Sequence, residues 1–291
     1  MTCGLCRALV LVFLSLGGAC AATAAPEITV YPDGPRVGEV MFVRFAPESE
    51  LLRAACSWNG KSYRLLPAGG EFEVVLPVGL KTRPGAQHAM IYWKYADGGM
   101  GKARLPVTVC AREFGVQHLH LSREQESTYT AEETKREKRL IGAALDRVGA
   151  ERHWWGSFVM PVEGRVSTGF GMQRYINGRL AYRHKGIDIA AAEGAPVRAA
   201  ASGVVSLADD SFILHGQTVI IDHGHGIATL YIHLSQIDVE DGQQVSQGQV
   251  IGRVGASGVA TGPHLHFGVY AYHEPVDPFF WTDLPEREPA E

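Results

Sequence analysis

The stretch from Gln217 to Tyr231 reads QTVIIDHGHGIATLY, and it holds two mostly apolar runs on either side of a glycine-rich turn. The runs Gln217–Asp222 and Ile227–Tyr231 each have the length of a short β-strand. Gly224 and Gly226 alternate with histidines between them, and such a cluster marks a tight turn. The stretch therefore predicts a β-hairpin.

The same pattern of short strands and turns continues on both sides of this hairpin. From residue 156 onward, further strands are predicted at Gly203–Leu207, Val250–Val254 and His266–Tyr270, with no helical periodicity of more than two turns. Residues 26–115 alternate apolar and polar side chains in segments at Glu27–Tyr31, Val40–Phe45, Ser62–Leu66, Glu71–Leu76, Ala89–Tyr95 and Ala103–Val109. Roughly six or seven short strands in ~90 residues predict an immunoglobulin-like sandwich. The chain is therefore predicted to be all-β.

The length and charge of the chain indicate the number of domains and exclude one class of partner. A chain of 291 residues is long enough for two domains. Glycine accounts for 34 of the 291 residues, about 12%, whereas its usual share is about 7%. Such an excess agrees with many turns. The 27 basic and 31 acidic residues give a net charge of -4, so no basic excess is available to neutralise phosphates. Nucleic acid is therefore not expected as a partner.

The N-terminus has the pattern of an export signal. Arg7 precedes an apolar core, Ala8–Leu16, and small residues follow up to Ala24. The core is about nine residues long, roughly half of what a membrane-spanning helix needs. We expect residues 1–24 to be a signal peptide, and the mature protein to be periplasmic or secreted with no transmembrane segment. A minor alternative is a lipid anchor on Cys20, which ends a run of small residues.

Cleavage of that signal leaves two cysteines, Cys56 and Cys110. Each lies in a predicted strand, and the compartment beyond the inner membrane is oxidising. A Cys56–Cys110 disulfide is therefore expected, with two buried free thiols as the alternative.

Residues 116–155 differ from the rest in composition. Ser122–Arg139 is dense in charge and contains neither glycine nor proline. Thr130 and Glu133 have the spacing of a capping box, and Gly149 is placed to end a helix. An apolar stripe lies between them, formed by Leu140, Ile141, Ala144, Leu145 and Val148. We expect a helical linker with a solvated charged face, followed by a second β domain at 156–284 and a tail at 285–291.

Eight of the twelve histidines lie between residues 184 and 273, in a domain that has no cysteine. Three short pieces bring histidine and carboxylate together: His184-Lys185-Gly186-Ile187-Asp188, Tyr231-Ile232-His233-Leu234-Ser235 and Gly262-Pro263-His264-Leu265-His266-Phe267. Side chains at i and i+2 of a strand share a face, so His264 and His266 are expected to point the same way.

His184 and Asp188 need a bend to reach a common centre. Four residues of a flat strand span ~13 Å, whereas zinc bonds to nitrogen and oxygen are about 2.0 to 2.2 Å long. Gly186 allows the chain to bend between them. Two histidines, a carboxylate and an open fourth position form the ligand set of a catalytic zinc site. The spare histidines suit proton transfer. No His-Glu-x-x-His helix is present, which excludes the thermolysin arrangement.

The order of these three pieces resembles that of the lysostaphin-type, LytM-like zinc endopeptidases, which cut peptidoglycan cross-links. The resemblance runs over about residues 160 to 280 and extends to Ala195–Gly203 and Asp241–Gly252. The residues before it are more loosely similar to the immunoglobulin-like companion domain of that family. For residues 156–284 the resemblance implies an antiparallel β domain of the lipoyl-like barrel (duplicated hybrid motif) type.

The resemblance also implies roles for single residues. His184, Asp188 and His266 would bind one zinc ion per chain, whose bound water is the nucleophile. His233 and His264 would be the catalytic histidines that activate this water and stabilise the oxyanion. The partners would be the peptide stems and cross-links of peptidoglycan.

Substrate preference in this family varies with a loop that would here be Phe170–Arg183, including Tyr175, Asn177 and Tyr182. Arg174 and Arg183 in this loop are either contacts for an anionic peptide or solvated charges.

Other interpretations are weaker. The Gly242–Gly252 spacing also occurs in lipoyl- and biotin-carrier barrels, but a carrier needs a lysine and none follows Lys185. A catalytically silent cell-wall binding module, or an activator of a separate amidase, is the alternative that the intact motifs disfavour. The long charged linker also raises the hypothesis that the N-terminal part covers the groove and keeps the enzyme latent.

Four further histidines of this domain receive no metal role. His223 and His225 resemble a metal pair, but they lie in the glycine-rich turn of the predicted hairpin, between Asp222 and Ile227. His215 and His273 lie beside turn residues and are expected to face solvent. His118 and His120, before the second domain, are interpreted as part of the connector.

Overall fold

The structure is a computed structural model, and it describes residues 8–10, 26–123, 127 and 132–284. Apart from residues 8–10, the predicted signal peptide lies outside that part of the chain, and so does Thr130 of the predicted capping box. The chain divides into two compact units after Arg112. Within the described residues, no helix has the length and apolar composition needed to cross a bilayer.

The first unit is a sandwich of two antiparallel sheets. Its strands are β1 (Ala8–Val10), β2 (Glu27–Tyr31), β3 (Val40–Ala46), β4 (Leu51–Trp58), β5 (Lys61–Arg64), β6 (Leu66–Ala68), β7 (Glu71–Pro77), β8 (Gly85–Tyr95) and β9 (Met100–Val109). One sheet has the order β1-β2-β3-β7-β6 and the other β5-β4-β8-β9. Between them, the ring of Phe45 packs against that of Trp93 at a centroid distance of 5.2 Å. The predicted all-β fold is confirmed.

Cys56 carries a free thiol, so the expected Cys56–Cys110 disulfide is wrong. Cys56 lies in β4 opposite Ile91 of β8, which in turn lies opposite Ala103 of β9. Cys110 follows the end of β9, which places it about 20 Å farther along the sheet. The Cα atoms of a disulfide are usually about 4.4 to 6.8 Å apart. Two cysteines of one sheet at such a separation cannot pair.

The second unit contains the remaining elements. They are β10 (Val116–Leu119), α1 (Glu132–Leu145), β11 (Arg165–Thr168), β12 (Gln173–Ile176), β13 (Arg179–Arg183), β14 (Ile187–Ala190), β15 (Pro196–Arg198), β16 (Gly203–Asp209), β17 (Gln217–Asp222), β18 (Ile227–Ile237), β19 (Gln244–Val245), β20 (Val250–Val254), β21 (His264–Ala271), β22 (Glu274–Val276) and α2 (Pro278–Thr282).

Most of these strands form one antiparallel sheet with the main order β11-β14-β21-β18-β17-β16-β19. The predicted hairpin is β17 and the first half of β18, with Asp222 opposite Ala228. Its turn needs glycine, because Gly224 has a φ of 79° and a Cβ there would lie 1.7 Å from the carbonyl oxygen of Glu151.

The centre of this sheet brings the three histidine motifs together. Strand β21 lies between β14 and β18, so that Asp188 is directly opposite His266 and His266 is directly opposite Ile232. Residues distant in sequence thus become neighbours across hydrogen-bonded strands.

The described residues of the predicted linker, 116–155, pack on the second unit. Strand β10 pairs in parallel with β12, which pairs with β13 in a small three-stranded sheet. Helix α1 buries Ile141, Ala144 and Leu145 against a cluster formed by Leu207, Phe212, Ile220, Ala228, Leu230, Ile232 and Tyr270. The helix ends at Leu145, so Val148 lies beyond it and is 47% exposed, outside the buried stripe.

Candidate metal centre

His184, Asp188 and His266 direct one donor atom each at a common point. Nε2 of His184 lies 2.9 Å from Oδ1 of Asp188 and 2.9 Å from Nδ1 of His266. That Nδ1 lies 2.8 Å from the same Oδ1. All three residues are buried. The structure therefore brings the three predicted ligands into one compact cluster, the size of a metal-ion coordination sphere.

Two features of the backbone create this cluster. Asp188 and His266 are opposite each other on β14 and β21, while His184 lies just before β14. The chain bends at Gly186, as expected. Its φ lies outside the left-handed region, but a Cβ there would lie 2.3 Å from the carbonyl oxygen of Phe267. Glycine is required because the chain passes so close to β21.

The tautomer of His184 suits a metal ligand. Its Nδ1 lies 2.9 Å from the carbonyl oxygen of Gly169. Because a carbonyl only accepts, Nδ1 donates this hydrogen bond and Nε2 keeps its lone pair toward the cluster. Burial, only partly opposed by the Asp188 carboxylate, lowers the pKa of His266 to about 4. Its ring is therefore neutral at pH 7, which is the form that binds metal.

The carboxylate of Asp188 is the negative charge of the cluster. Burial by itself would raise the pKa of this carboxyl, but its contacts with the rings of His184 and His266 hold the pKa well below its usual range. An ionised carboxylate beside neutral imidazole lone pairs is a set of electron-pair donors that attracts a divalent cation.

Arg174 holds the second oxygen of that carboxylate. Its Nη2 donates to Oδ2 of Asp188, its Nε donates to Oε1 of Gln117 at 2.8 Å, and its Nη1 donates to the Tyr182 hydroxyl at 3.3 Å. Its side chain is only 11% exposed. Arg174 is therefore not a solvated charge, and its contact orients Asp188.

His233 and His264 form a second pair next to the cluster, with ring centroids 4.8 Å apart. Nδ1 of His233 donates to the carbonyl of Ser257 at 2.8 Å, and Nδ1 of His264 donates to that of Gly262 at 2.8 Å. In the neutral form of each ring, Nε2 is then the nitrogen that carries the lone pair. Burial, together with the neighbouring His264 and His266, lowers the pKa of His233 to about 3.

All five predicted site residues line one cavity of about 850 Å³. Tyr182 of the predicted groove loop lines it as well. Tyr175 instead stacks on His118 at a centroid distance of 5.1 Å, and Asn177 is hydrogen-bonded to the backbone of Leu121. These contacts attach the hairpin of β12 and β13 to β10.

The other histidines of this domain lie outside the cluster of three ligands, although His215 and His273 line the same cavity. His223 is buried, with Nδ1 2.8 Å from the Ser202 carbonyl and Nε2 2.8 Å from the Thr229 hydroxyl. His273 is half exposed and lies 2.8 Å from Asp146. The expectation that His215 faces solvent is wrong, because α1 covers its turn and its Nδ1 lies 2.8 Å from Oε2 of Glu137.

Sequence reasoning missed Glu137, which it assigned to a solvated helix face. Glu137 is 2% exposed. A usable signal was present, because residue 137 lies four positions before Ile141 and seven before Ala144, on the face that the apolar stripe buries.

The buried His-Asp-His cluster and the adjacent histidine pair lie on an antiparallel β domain, and such a donor set suits a metallopeptidase. Residues 182–278 match the model of peptidase family M23, and this segment belongs to that family. The recognition of a lysostaphin-type, LytM-like metallopeptidase is thereby confirmed.

Relatives of known name agree with this family. The chain is 41% identical over 114 residues to the DD-carboxypeptidase/endopeptidase Mpg of Neisseria meningitidis, covering 39% of this chain and 26% of that protein. It is 37% identical over 134 residues to the peptidoglycan DD-endopeptidase ShyA of Vibrio cholerae, covering 44% of this chain and 31% of that protein. The chain thus spans about a quarter to a third of these relatives.

A solved structure matches over most of the chain. The crystal structure of a putative peptidase M23 from Pseudomonas aeruginosa superposes with a TM-score of 0.64 at 29% identity, covering 87% of this chain and 96% of that one.

Proposed function

We propose that the protein is a zinc-dependent endopeptidase that hydrolyses the peptide cross-links of bacterial peptidoglycan. The observation that carries this proposal is the juxtaposition of the His184, Asp188 and His266 cluster with the His233 and His264 pair in one cavity. The names of the relatives, which include a peptidoglycan DD-endopeptidase, support the substrate class.

The three donors fit one zinc ion. Catalytic zinc sites use three nitrogen or oxygen ligands from the protein, and keep a fourth position for water or substrate. Donors around tetrahedral zinc, with bonds of about 2.0 to 2.1 Å, lie about 3.3 Å apart, so movements of a few tenths of an ångström suffice here. Zinc held by His184, Asp188 and His266 would supply a Lewis acid for the peptide carbonyl and would lower the pKa of water.

The remaining side chains handle protons and position. Nε2 of His233 and Nε2 of His264 are each available to accept a proton from the attacking water. A protonated Nε2 then donates a hydrogen bond to the oxyanion that develops on the substrate carbonyl. Arg174 keeps Asp188 oriented throughout, because its guanidinium contacts the oxygen that the cluster does not share.

The same proposal includes the location and the domain organisation. The predicted signal peptide at residues 1–24 supports export to the periplasm or beyond, where peptidoglycan lies. The proposed domains are the sandwich at 26–115, the segment 116–155 and the peptidase domain at 156–284, with the tail at 285–291.

The test is zinc content and turnover on purified peptidoglycan for the mature protein, beside its His264→Ala variant. The wild type is expected to carry about one zinc ion per chain and to release defined muropeptides that mass spectrometry identifies. The variant is expected to keep its zinc and release nothing. Zinc binding without any release by the wild type would contradict the proposal and favour the catalytically silent module.

A further inference from the structure

A buried glutamate of α1, Glu137, is hydrogen-bonded to the loop that precedes β17, at residues 213–215. Oε1 of Glu137 accepts hydrogen bonds from the backbone N–H groups of Ile213 at 2.6 Å and Leu214 at 3.1 Å. Oε2 accepts from the backbone N–H of His215 at 3.3 Å, and lies 2.8 Å from its Nδ1. One carboxylate, 3% exposed, thus engages three consecutive residues of this loop.

The same loop is hydrogen-bonded to the backbone of a proposed catalytic histidine. The carbonyl oxygen of His215 accepts the N–H of His233 at 3.0 Å. His233 has a φ of 66°, in the left-handed region that residues other than glycine rarely adopt. Such a conformation persists only where surrounding contacts impose it, and the bond to His215 is one of these contacts.

Ser257 connects the loop to the ring of His233 from the other side. The Ser257 carbonyl accepts from Nδ1 of His233, and its hydroxyl accepts from the backbone N–H of Gln217 at 3.0 Å. A Cβ on Gly216 would lie 2.2 Å from that hydroxyl, so loop and serine are in close contact. Both the backbone and the ring of His233 therefore depend on where residues 213–217 lie.

We propose that Glu137 is a positioning residue for His233. Its carboxylate fixes residues 213–215, and through the His215 carbonyl it holds the backbone of His233 in the conformation that places the ring beside His264. Glu137 acts through the loop and itself has no contact with the proposed metal ligands. This inference rests on the proposed function in so far as His233 is catalytic.

The ionisation of Glu137 agrees with this geometry. Burial by itself would raise the pKa of its carboxyl, but the hydrogen bonds from His215, Leu214 and Ile213 lower the pKa below its ordinary value. The group is therefore a carboxylate at neutral pH, and a charged acceptor makes stronger hydrogen bonds than a neutral amide does.

The test compares Glu137→Gln with Glu132→Gln in the full-length, zinc-loaded protein. Glutamine keeps the size of Glu137 but turns an NH₂ group toward N–H donors. Glu132 lies on the same helix with its side chain 79% exposed, and it forms an ion pair with Lys135 at 2.6 Å. The readouts are amide hydrogen exchange at residues 213–215 and 233, zinc content, and kcat and KM on peptidoglycan fragments.

In Glu137→Gln, we expect exchange at the His233 amide to rise about 10-fold or more, because its acceptor is no longer held. We expect kcat to fall on the order of 10- to 100-fold, with KM and zinc content unchanged, since displacement of a catalytic group by about 1 Å costs that much. Glu132→Gln is expected to match the wild type in every readout.

Wild-type exchange at residue 233 together with wild-type kcat in Glu137→Gln would overturn the inference, and so would an equal effect of Glu132→Gln or loss of zinc in parallel with kcat. If the wild type itself cleaves nothing while exchange rises only in Glu137→Gln, the positioning of His233 stands and the proposed function fails. If Glu137→Gln does not fold, Glu137→Asp replaces it. That change keeps the charge but shortens the side chain by one methylene, which withdraws the carboxylate from the N–H groups of residues 213–215, and unchanged exchange at residue 233 would then overturn the inference.

Discussion

At the scale of single residues, the chemistry of the site depends on which ring nitrogen of each histidine carries the proton. His184, His233 and His264 each present Nδ1 to a backbone carbonyl, at 2.9, 2.8 and 2.8 Å. A carbonyl cannot donate, so in the neutral form of each ring the lone pair lies on Nε2. Three backbone oxygens thus prepare one ring to bind metal and two to accept protons.

Removing a ligand and removing a proton carrier should have different effects. In His266→Ala, zinc and activity are expected to be lost together, because two donors bind the ion poorly. In His233→Ala or His264→Ala, zinc is expected to stay, while kcat falls by about 10² or more through loss of acid–base catalysis. Metal analysis and turnover on the same preparations check this. Full zinc occupancy in His266→Ala would refute the ligand assignment.

The thiol of Cys56 should be inert in the folded protein. Burial in the sandwich raises its pKa to about 12, and the reactive thiolate is then nearly absent at pH 8. We expect no alkylation of Cys56 by iodoacetamide under native conditions and complete alkylation in urea, as mass spectrometry of the Cys56 peptide reports. Rapid native labelling would contradict its burial.

At the scale of elements, the site is a product of strand order. Asp188, His266 and Ile232 lie side by side on β14, β21 and β18. His233 follows Ile232 directly, and its left-handed φ turns the chain where β18 approaches the turn of His215. The segment just before β14 lies close against β21, which places His184 beside Asp188 and His266. This close contact requires glycine at position 186.

Gly186→Ala should separate His184 from the other two ligands. The added methyl group would meet the Phe267 carbonyl at 2.3 Å, so the segment before β14 must move away from β21. We expect zinc affinity to weaken at least about 10-fold, because changes in the groups that orient metal ligands commonly reduce metal affinity by this much. Competition with a chromophoric chelator measures this. Wild-type zinc affinity in Gly186→Ala would contradict the prediction.

The contribution of Glu137 to stability should depend on pH in a defined direction. Because the folded pKa of its carboxyl is lowered, the stabilisation is present above the unfolded pKa of about 4.3 and is lost as pH falls through the folded pKa. We expect metal-free Glu137→Gln to be about 1.5 to 3 kcal/mol less stable than wild type at pH 6, and this gap to shrink toward pH 3.

Urea unfolding followed by tryptophan fluorescence at several pH values gives that gap directly. Glu132→Gln, whose side chain is exposed, is expected to follow the wild type at every pH. A gap for Glu137→Gln that stays constant between pH 6 and pH 3 would show that its charge is not what stabilises the loop.

At the scale of the whole molecule, the segment between the two β domains is part of the second unit. Helix α1 covers an apolar face of β16, β17, β18 and β21, and β10 extends the hairpin of β12 and β13. Leu119, Leu121, Ile141 and Leu145 also line the cavity that holds the site. Removal of this segment would therefore expose part of the apolar core and remove one wall of the cavity, in addition to any effect on access to the site.

Two truncations should differ sharply. A variant that begins at Glu113 retains β10 and α1, and we expect it to fold and to bind zinc like the full chain. A variant that begins at Gly156 loses Ile141 and Leu145, and burial of two such residues contributes about 4 kcal/mol or more. At roughly 2 to 4 °C per kcal/mol, its Tm should fall by about 10 °C or more. Circular dichroism and size-exclusion chromatography compare them, and equal Tm values would contradict the role of α1.

Much of the fold was predictable because it is encoded locally. Two apolar runs and the glycines between them predicted the hairpin at 217–231, and β17 has the predicted bounds at both ends. A strand was expected around Cys56, but the bounds of β4 were not predicted, because small residues at Ala54, Ala55 and Cys56 replace the large side chains by which a strand is recognised. Its identity comes from pairing with β5 and β8, which lie later in the chain.

The sequence by itself determined the all-β class and the five site candidates, because alternation, turn chemistry and motif spacing depend on near neighbours. Only the tertiary structure decided that Cys56 is a free thiol, and which groups His215, Arg174 and Glu137 contact. Each of these depends on a contact with a distant strand or helix, such as Glu137 with residues 213–215, and burial turns an ordinary charge into a specific hydrogen-bond partner. The local sequence pattern indicates which side chains are present, whereas tertiary packing determines which groups each side chain contacts.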